Sequence, residues 1–465
     1  MTPAQERIEC QVAVVGGGCA GLSAALAAAE AGAQVMVLEK ASREERGGNT
    51  RFSDAQMRFP HRADAYWPRS YSVDEMRADL LRISGGRANR ALVEILAQES
   101  AGAVEWLSAL GLEWEEGFPH ARGYRRHPRG GGSALLDALY AEAERQGVQV
   151  MYGTAARELL IDGRGRVTGV RAVGPAGAIE VQAGAVVLAC GGFQANAEMR
   201  LEHLGRPAEN VILRGSRHDT GEGITMALAA GAQPAGDWAG YHAAVIDARS
   251  AAVECGVTAL YNFQMGIIVD GEGHRFLDEG EDFRDHTYAK FGRVILERAG
   301  GAAFSIFDQQ MYSRPEFQGA WRPVGPPVVA DTLEGLAEGL GVSEAGLLRT
   351  VREFNAAVAP GELDLDRLDG KATRGISPPK SNWALPLVEP PFVGLAVTGG
   401  ITFTFGGLKT DRQAGVIDRS GQAIAGLYAA GEMVGEFYYG NYPGATSVLR
   451  GVVFGRIAGA NAARR

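Results

Sequence analysis

The sequence predicts an α/β fold: a Rossmann-like domain on a parallel sheet, split along the chain by an inserted α+β unit. Three observations predict it. A short apolar run at residues 11–15 leads into the turn Gly16-Gly17-Gly18-Cys19-Ala20-Gly21. An alanine-rich stretch of helical pattern follows, and then a second apolar run ending at Glu39. Much later, at residues 426–430, an apolar run before Gly431-Glu432 resumes the same pattern after a region of different character.

Each element follows in order. Residues 11–15 read as a buried strand, 22–31 as a helix ended by Gly32, and 34–38 as a second strand closed by Glu39. Together they make a β-α-β unit. Residues 71–110 read as helical with one break at Gly85-Gly86, 133–146 as an amphipathic helix, and 148–152 as a strand. Residues 157–172 have a hairpin pattern turning at Asp162-Gly163. Residues 179–189 read as a strand running into Cys190-Gly191-Gly192. The stretch 237–371 holds short mixed elements, Gly-Pro-Pro turns and a helix at 344–358. The first pattern then returns as a strand at 426–430 and a helix at about 447–463. The expected organisation is therefore 1–236 and 372–465 for the split domain, with 237–371 inserted.

Composition sets the class. With 465 residues, 46% hydrophobic and 22% charged, the chain can bury a large core in two or three lobes. Its net charge of −9 argues against a nucleic-acid partner. The basic run from Arg122 to Arg129 is short and reads as a solvated loop. Cys10, Cys19, Cys190 and Cys255 are widely spaced and form no C-x-x-C pair, so no metal site is expected. Free, mostly buried thiols point to a reducing compartment, and cytoplasmic residence is expected. The polar start and the glycine-broken apolar stretches predict neither a signal peptide nor a membrane span.

The glycine turn carries the first chemistry. In Gly16-x-Gly18-x-x-Gly21 the first glycine permits the tight turn and the second lets a pyrophosphate approach the backbone. The third lets helix and strand pack closely. Glu39 stands about 20 residues on, where an acid accepts hydrogen bonds from ribose hydroxyls. No second fingerprint opens another β-α-β unit, so no separate nicotinamide domain is evident. The Gly431-Glu432 pair after a late strand suits a long dinucleotide that crosses from one end of the chain to the other. FAD has that reach.

Several segments then resemble one family, the fumarate reductase/succinate dehydrogenase flavoproteins, which include 3-ketosteroid Δ1-dehydrogenases. They are Val14-Val15-Gly16-Gly17-Gly18, Gly47-Gly48-Asn49-Thr50, Ala189-Cys190-Gly191-Gly192-Phe193, Thr220-Gly221-Glu222-Gly223, Arg275-Phe276-Leu277-Asp278-Glu279, Gly406-Gly407-Leu408 and Gly426-Leu427-Tyr428-Ala429-Ala430-Gly431-Glu432. Within it, the stretch from Asp282 to Leu296 and Asn441-Tyr442-Pro443-Gly444 are most similar to FAD-dependent tricarballylate dehydrogenases. The resemblance implies a glutathione-reductase-type FAD-binding domain, an inserted capping domain and an active site between them, with hydride passing between a substrate carbon and the flavin. It implies FAD contacts at Gly16, Gly18, Gly21, Glu39, Lys40, Gly48, Asn49, Thr50, Ala156, Ala189, Gly191, Gly192, Glu432, Ser447 and Leu449. Asn49 falls near the histidine that bonds flavin covalently in respiratory fumarate reductases, so FAD is expected to be held non-covalently.

For the substrate side, Arg284 resembles the arginine that relays a proton in fumarate reductases. An arginine is a poor free base, so it needs an acid partner, or else it clamps a carboxylate. A structural ion pair with Glu281, Asp282 or Asp285 is the plainer alternative. Fumarate reductases carry histidines before their Gly-Gly and an arginine in the C-terminal loop. This chain has Ile401-Thr402-Phe403-Thr404-Phe405 and Tyr442 instead, which argues against fumarate. Gly440 replaces a histidine of the tricarballylate enzymes. Tyr442-Pro443-Gly444 is similar to ketosteroid dehydrogenases, where a tyrosine polarises a ketone oxygen. The candidate catalytic residues are Arg284, Tyr288, Thr402, Thr404 and Tyr442, with His286 beside them as a catalytic or a structural histidine.

The expected activity is dehydrogenation of a C–C bond beside a carboxylate or ketone of a small molecule. Electrons would go to a quinone or an acceptor protein. Rivals are an ene reductase of the fumarate type, a 3-ketosteroid-dehydrogenase-like enzyme acting on a cyclic ketone, and a flavin subunit that only passes electrons.

Overall fold

The computed structural model describes residues 6–64, 69–116, 125–253, 255–256 and 258–464. The first sheet is built outward from the strand Glu6–Val15. It runs parallel to Val35–Leu38 on one side and to Gly177–Leu188 on the other. Gln149–Met151 extends the sheet beyond Val35–Leu38, and Ala423–Ala429 beyond Gly177–Leu188. Val12, Ala13 and Val14 are fully buried, as a central strand covered on both faces requires. This strand begins five residues earlier than the apolar run implies. Residues 6–10 alternate polar and apolar, so they lack a continuous run, yet they pair with Ile179–Ala183. The hairpin Ala155–Ile161 and Val167–Gly174 continues from Gly177–Leu188.

Helix Cys19–Glu30 starts inside the glycine turn and packs on the C-terminal helix Ser447–Ala462. A methyl group at Gly455 would strike the Ala20 carbonyl oxygen, and one at Gly459 the Ala24 carbonyl oxygen. Two glycines thus bring the backbones of the first and last helices into contact. The helical stretch 71–110 resolves into Val73–Ile83 and Arg90–Ala109, broken at Gly85 and Gly86, both with positive φ. Ser72 and Glu75 close a capping box at the first, with bonds of 3.2 and 2.7 Å. Asn89 caps the second.

A second sheet has Phe392–Thr404 as its spine. Tyr241–Asp247, Ala303–Phe307 and Val328–Ala330 pair with it antiparallel, and Ile212–Leu213 parallel. Helix Arg284–Arg298 lies on this sheet at Gly292 and Gly399, where side chains would foul the backbone. The sheet therefore runs past both ends of the 237–371 span expected for the inserted unit. The reason is the spine strand. It is apolar and glycine-rich like the strands of the first sheet, and sequence pattern cannot say which sheet takes it.

Other differences are local. Arg122 to Tyr124 of the basic run lie outside the described residues. Arg125–Pro128 is a strand between Trp114–Glu116 and Met57–Arg58, not a loop, because acidic neighbours meet its charges. His127 lies 3.3 Å from Glu115 and Arg129 3.0 Å from Glu113. All four cysteines are free, but only Cys19 is fully buried. Among the described residues, no helix is long and apolar enough to cross a membrane.

Candidate active site

One cleft runs from the glycine turn to the second sheet. At its first end, Gly16 takes φ +103°, and a methyl there would lie 2.5 Å from the Ala189 carbonyl oxygen. A methyl at Gly21 would collide with the Gly16 carbonyl oxygen, so the third glycine serves packing. Gly18 differs. Nothing lies nearer to such a methyl than the Gly47 carbonyl oxygen at 3.5 Å, so the space is open. No side chain caps the helix that follows, although the Thr50 hydroxyl accepts from the Cys19 N–H at 3.2 Å. An open helix N-terminus beside bare backbone fits a pyrophosphate.

Glu39 closes this end. It is 5% exposed and accepts from the Gly17 and Ala41 N–H groups, both at 2.8 Å. Lys40 reaches Glu222 at 2.6 Å and the His218 carbonyl at 3.2 Å. The cleft is lined by Gly16, Gly18, Glu39, Lys40, Gly48, Asn49, Thr50, Ala156, Ala189, Gly191, Glu432 and Ser447. Gly21, Gly192 and Leu449 do not line it. Gly192 is wedged against Glu432 and Thr404, and Leu449 is fully buried in the C-terminal helix. The donor set fits FAD: open glycine backbone for phosphates, and a buried acid at the ribose end.

Two carboxyls stand on the walls. Burial pushes Glu432 up to about 7, although it accepts from the Thr404 N–H at 2.9 Å. Burial and the nearby Glu432 also raise Asp219, which accepts from Gln194 at 2.9 Å. Asp219 was not read from the sequence. Its signal was position, just before Thr220-Gly221-Glu222-Gly223.

The other end is aromatic. Arg284 opens the helix Arg284–Arg298, with its guanidinium 5.8 Å from the Tyr261 ring centre and its Nε 3.6 Å from Asp285. Of the three acids expected as partners, Asp285 is the one it meets. Asp282 pairs with Arg82 at 2.7 Å, and Glu281 with Lys290. One turn on, the Tyr288 hydroxyl bonds to that of Tyr442. His242 packs against both rings at 5.0 and 5.2 Å and stacks on Phe403 at 5.2 Å. Burial, then the charge of Arg214, lowers His242 to about 3, so it is neutral. Arg214 donates to the Tyr261 hydroxyl at 3.1 Å and the Thr402 hydroxyl at 3.4 Å.

Arg284, Tyr288, Thr402 and Tyr442 all line the cleft. Thr404 does not: it is buried beneath Gly192, and its hydroxyl meets Glu432 at 3.2 Å. His286 does not line it either. It is buried with Nδ1 3.0 Å from Arg82 and 3.4 Å from Asp282. His242, Arg214, Tyr261 and Arg322 also line the cleft and were not singled out. Each is an isolated residue on a strand or loop of the second sheet region, with no motif around it. Asn49 bridges the two ends. Its amide donates to the Thr402 carbonyl at 2.7 Å and accepts from the Ser216 N–H at 2.8 Å.

Known proteins are similar to this chain along nearly its whole length. A family model described as an FAD binding domain matches residues 11–449. A probable fumarate reductase of Shewanella frigidimarina is 32% identical over 98% of this chain and 75% of its own length. A urocanate reductase of Eggerthella lenta is 30% identical over 98% of the chain and 75% of its own. The 3-ketosteroid-Δ4-(5α)-dehydrogenase of Rhodococcus jostii, solved with 4-androstene-3,17-dione, has a similar structure. Its TM-score is 0.78 at 28% identity, covering 100% of this chain and 99% of that one.

Proposed function

The chain belongs to the FAD binding domain family and is an FAD-dependent oxidoreductase acting at carbon–carbon bonds. On that premise we propose that it adds or removes hydrogen across a C–C bond beside a ketone or carboxylate carried on a ring. One observation carries the reading: the Tyr288–Tyr442 hydroxyl pair lies in the same cleft as Arg284.

Bound FAD supplies the two-electron chemistry, taking or giving hydride at its flavin ring. The chain's own residues do the rest. The tyrosine pair donates a hydrogen bond to the activating oxygen and stabilises the charge that gathers there as the neighbouring carbon loses its proton. Neutral His242 holds both tyrosine rings without adding charge. Arg284 clamps a carboxylate oxygen, or passes a proton by way of Asp285. Tyr261, Tyr288 and Tyr442 give this end of the cleft an aromatic lining against which a substrate ring can pack. Electrons exchanged in each turnover pass to or from a quinone or a partner protein. The four free thiols suit the cytoplasm.

The test is anaerobic. Protein reduced with dithionite is mixed with cyclohexenones, arylacrylates, fumarate and aconitate, and flavin absorbance is followed. Ring compounds should reoxidise the flavin fastest. Flavin that none of them reoxidises would defeat the reading. A second reading, a tricarballylate dehydrogenase, is favoured by three of the four arginines that line the cleft, Arg214, Arg284 and Arg322. It predicts aconitate as the fastest oxidant.

A further inference from the structure

Arg58 stands at the junction of three segments far apart in the chain. It ends the short strand Met57–Arg58, is fully buried, and does not line the cleft. Its backbone N–H donates to the Ala445 carbonyl at 2.8 Å, and its Nε to the Gly444 carbonyl at 2.9 Å. One terminal nitrogen, Nη2, donates to Asp285 at 3.3 Å. The other, Nη1, lies 3.8 Å from Asp79, and the Tyr71 ring stands beside the guanidinium. Asp79 in turn accepts from the Tyr71 hydroxyl at 2.9 Å.

These contacts reach both walls of the substrate end. Asp285 is 3% exposed and stands 3.6 Å from Arg284 on its other side. The Asp285 carbonyl accepts from the Gly444 N–H at 2.9 Å. Gly444 and Ala445 follow Tyr442 by two and three residues, and Ala445 is held at φ +69°. Such a backbone is strained for alanine and needs its surroundings to fix it. A fully buried guanidinium between two carboxylates is costly to desolvate. What it obtains is register between the helix that starts at Arg284 and the loop that carries Tyr442.

We propose that Arg58 is a positioning residue for the reaction. It sets Arg284 through Asp285 and Tyr442 through the Gly444–Ala445 backbone, so that both side chains meet the substrate together. The proposal rests on Arg284 and Tyr442 acting on the substrate, as read above.

The test uses the FAD-loaded enzyme and whichever compound reoxidises wild-type flavin fastest. R58K keeps the charge but cannot make the forked contacts. Its flavin content should hold while kcat falls about 10²-fold, the scale of a misplacement near 1 Å. KM should change little, and the R58K/R284K double variant should lose less than the product of the two single losses, because R284K removes one of the two groups that Arg58 sets. A purely structural role would make the two losses multiply. R58K turning over at the wild-type rate, or losses that multiply, would overturn the proposal. Should R58K fail to fold, R58M/D285N removes both charges together. It should fold and be slow, and wild-type turnover by it would be equally fatal. If no compound reacts with the wild type, the functional reading falls on its own. Crystals of R58K, or of R58M/D285N where R58K does not fold, then decide. Arg284 and Tyr442 unmoved there would count against Arg58.

Discussion

Lysine and arginine share a charge but not a shape, and Arg284 is where that difference is measurable. If its planar fork meets the substrate, Arg284→Lys should lose turnover by about 10²-fold or more, the scale of a lost acid–base or charge-stabilising group. Its flavin content and melting temperature should stay near wild type. A folded variant that turns over normally moves the role to Tyr288 and Tyr442. Glu432 makes a second test, in pH. Burial holds its carboxyl at about 7, above the ordinary 4.5, so the native state binds this proton more tightly than the unfolded chain. Its contribution to stability is complete below about 4.5 and is lost as pH rises through 7. Glu432→Gln should flatten that part of the melting-temperature profile. An unchanged slope between pH 4.5 and 7 would refute it. Glycines give the third. Gly18→Val should fold yet lose FAD, because the space above Gly18 is open. Gly21→Val should fail to fold, because its side chain would meet the Gly16 carbonyl. Circular dichroism and bound-flavin absorbance separate the two.

Elements differed in how readable they were, for a physical reason. The central strand and the helix after it are repetitive in pattern and buried on both sides, so periodicity marks them. The strand Phe392–Thr404 has the same pattern but belongs to the other sheet, and no local signal records that choice. The site divides the same way. The glycine turn, Glu39 and the Arg284–Tyr288 segment carry motifs. His242 is one histidine in the wholly buried strand Tyr241–Asp247, and Arg214 one arginine beside a two-residue strand, so only the fold makes them neighbours. Packing of the first and last helices gives this scale its prediction. Gly459→Val would press a side chain on the Ala24 carbonyl. The cost should reach about 1–3 kcal/mol or more. Melting temperature and retained flavin should fall together, and a variant of normal stability would show that the helices have room.

For the whole molecule, the junction of the two sheets decides how the cofactor is held. Asn49, on the helix Gly48–Phe52, reaches across it to Thr402 and Ser216, both on the side of the second sheet. Its amide offers no nucleophile to the flavin, so acid or heat should release free FAD. Flavin remaining with the denatured polypeptide would contradict this. The closure of the first sheet has a further consequence, in time. Ala423–Ala429 lies beside Gly177–Leu188, and the helix Ser447–Ala462 covers Cys19–Glu30. On the ribosome, the glycine turn emerges long before the segments that complete its surroundings. At about 5–20 residues per second, the delay is roughly 20–85 s. During it, the surface of the first helix that Ser447–Ala462 will cover stays open, and the half-built pocket lacks part of its wall. Flavin loading should therefore wait for the helix Ser447–Ala462, and until that helix docks the growing chain offers chaperones an apolar surface.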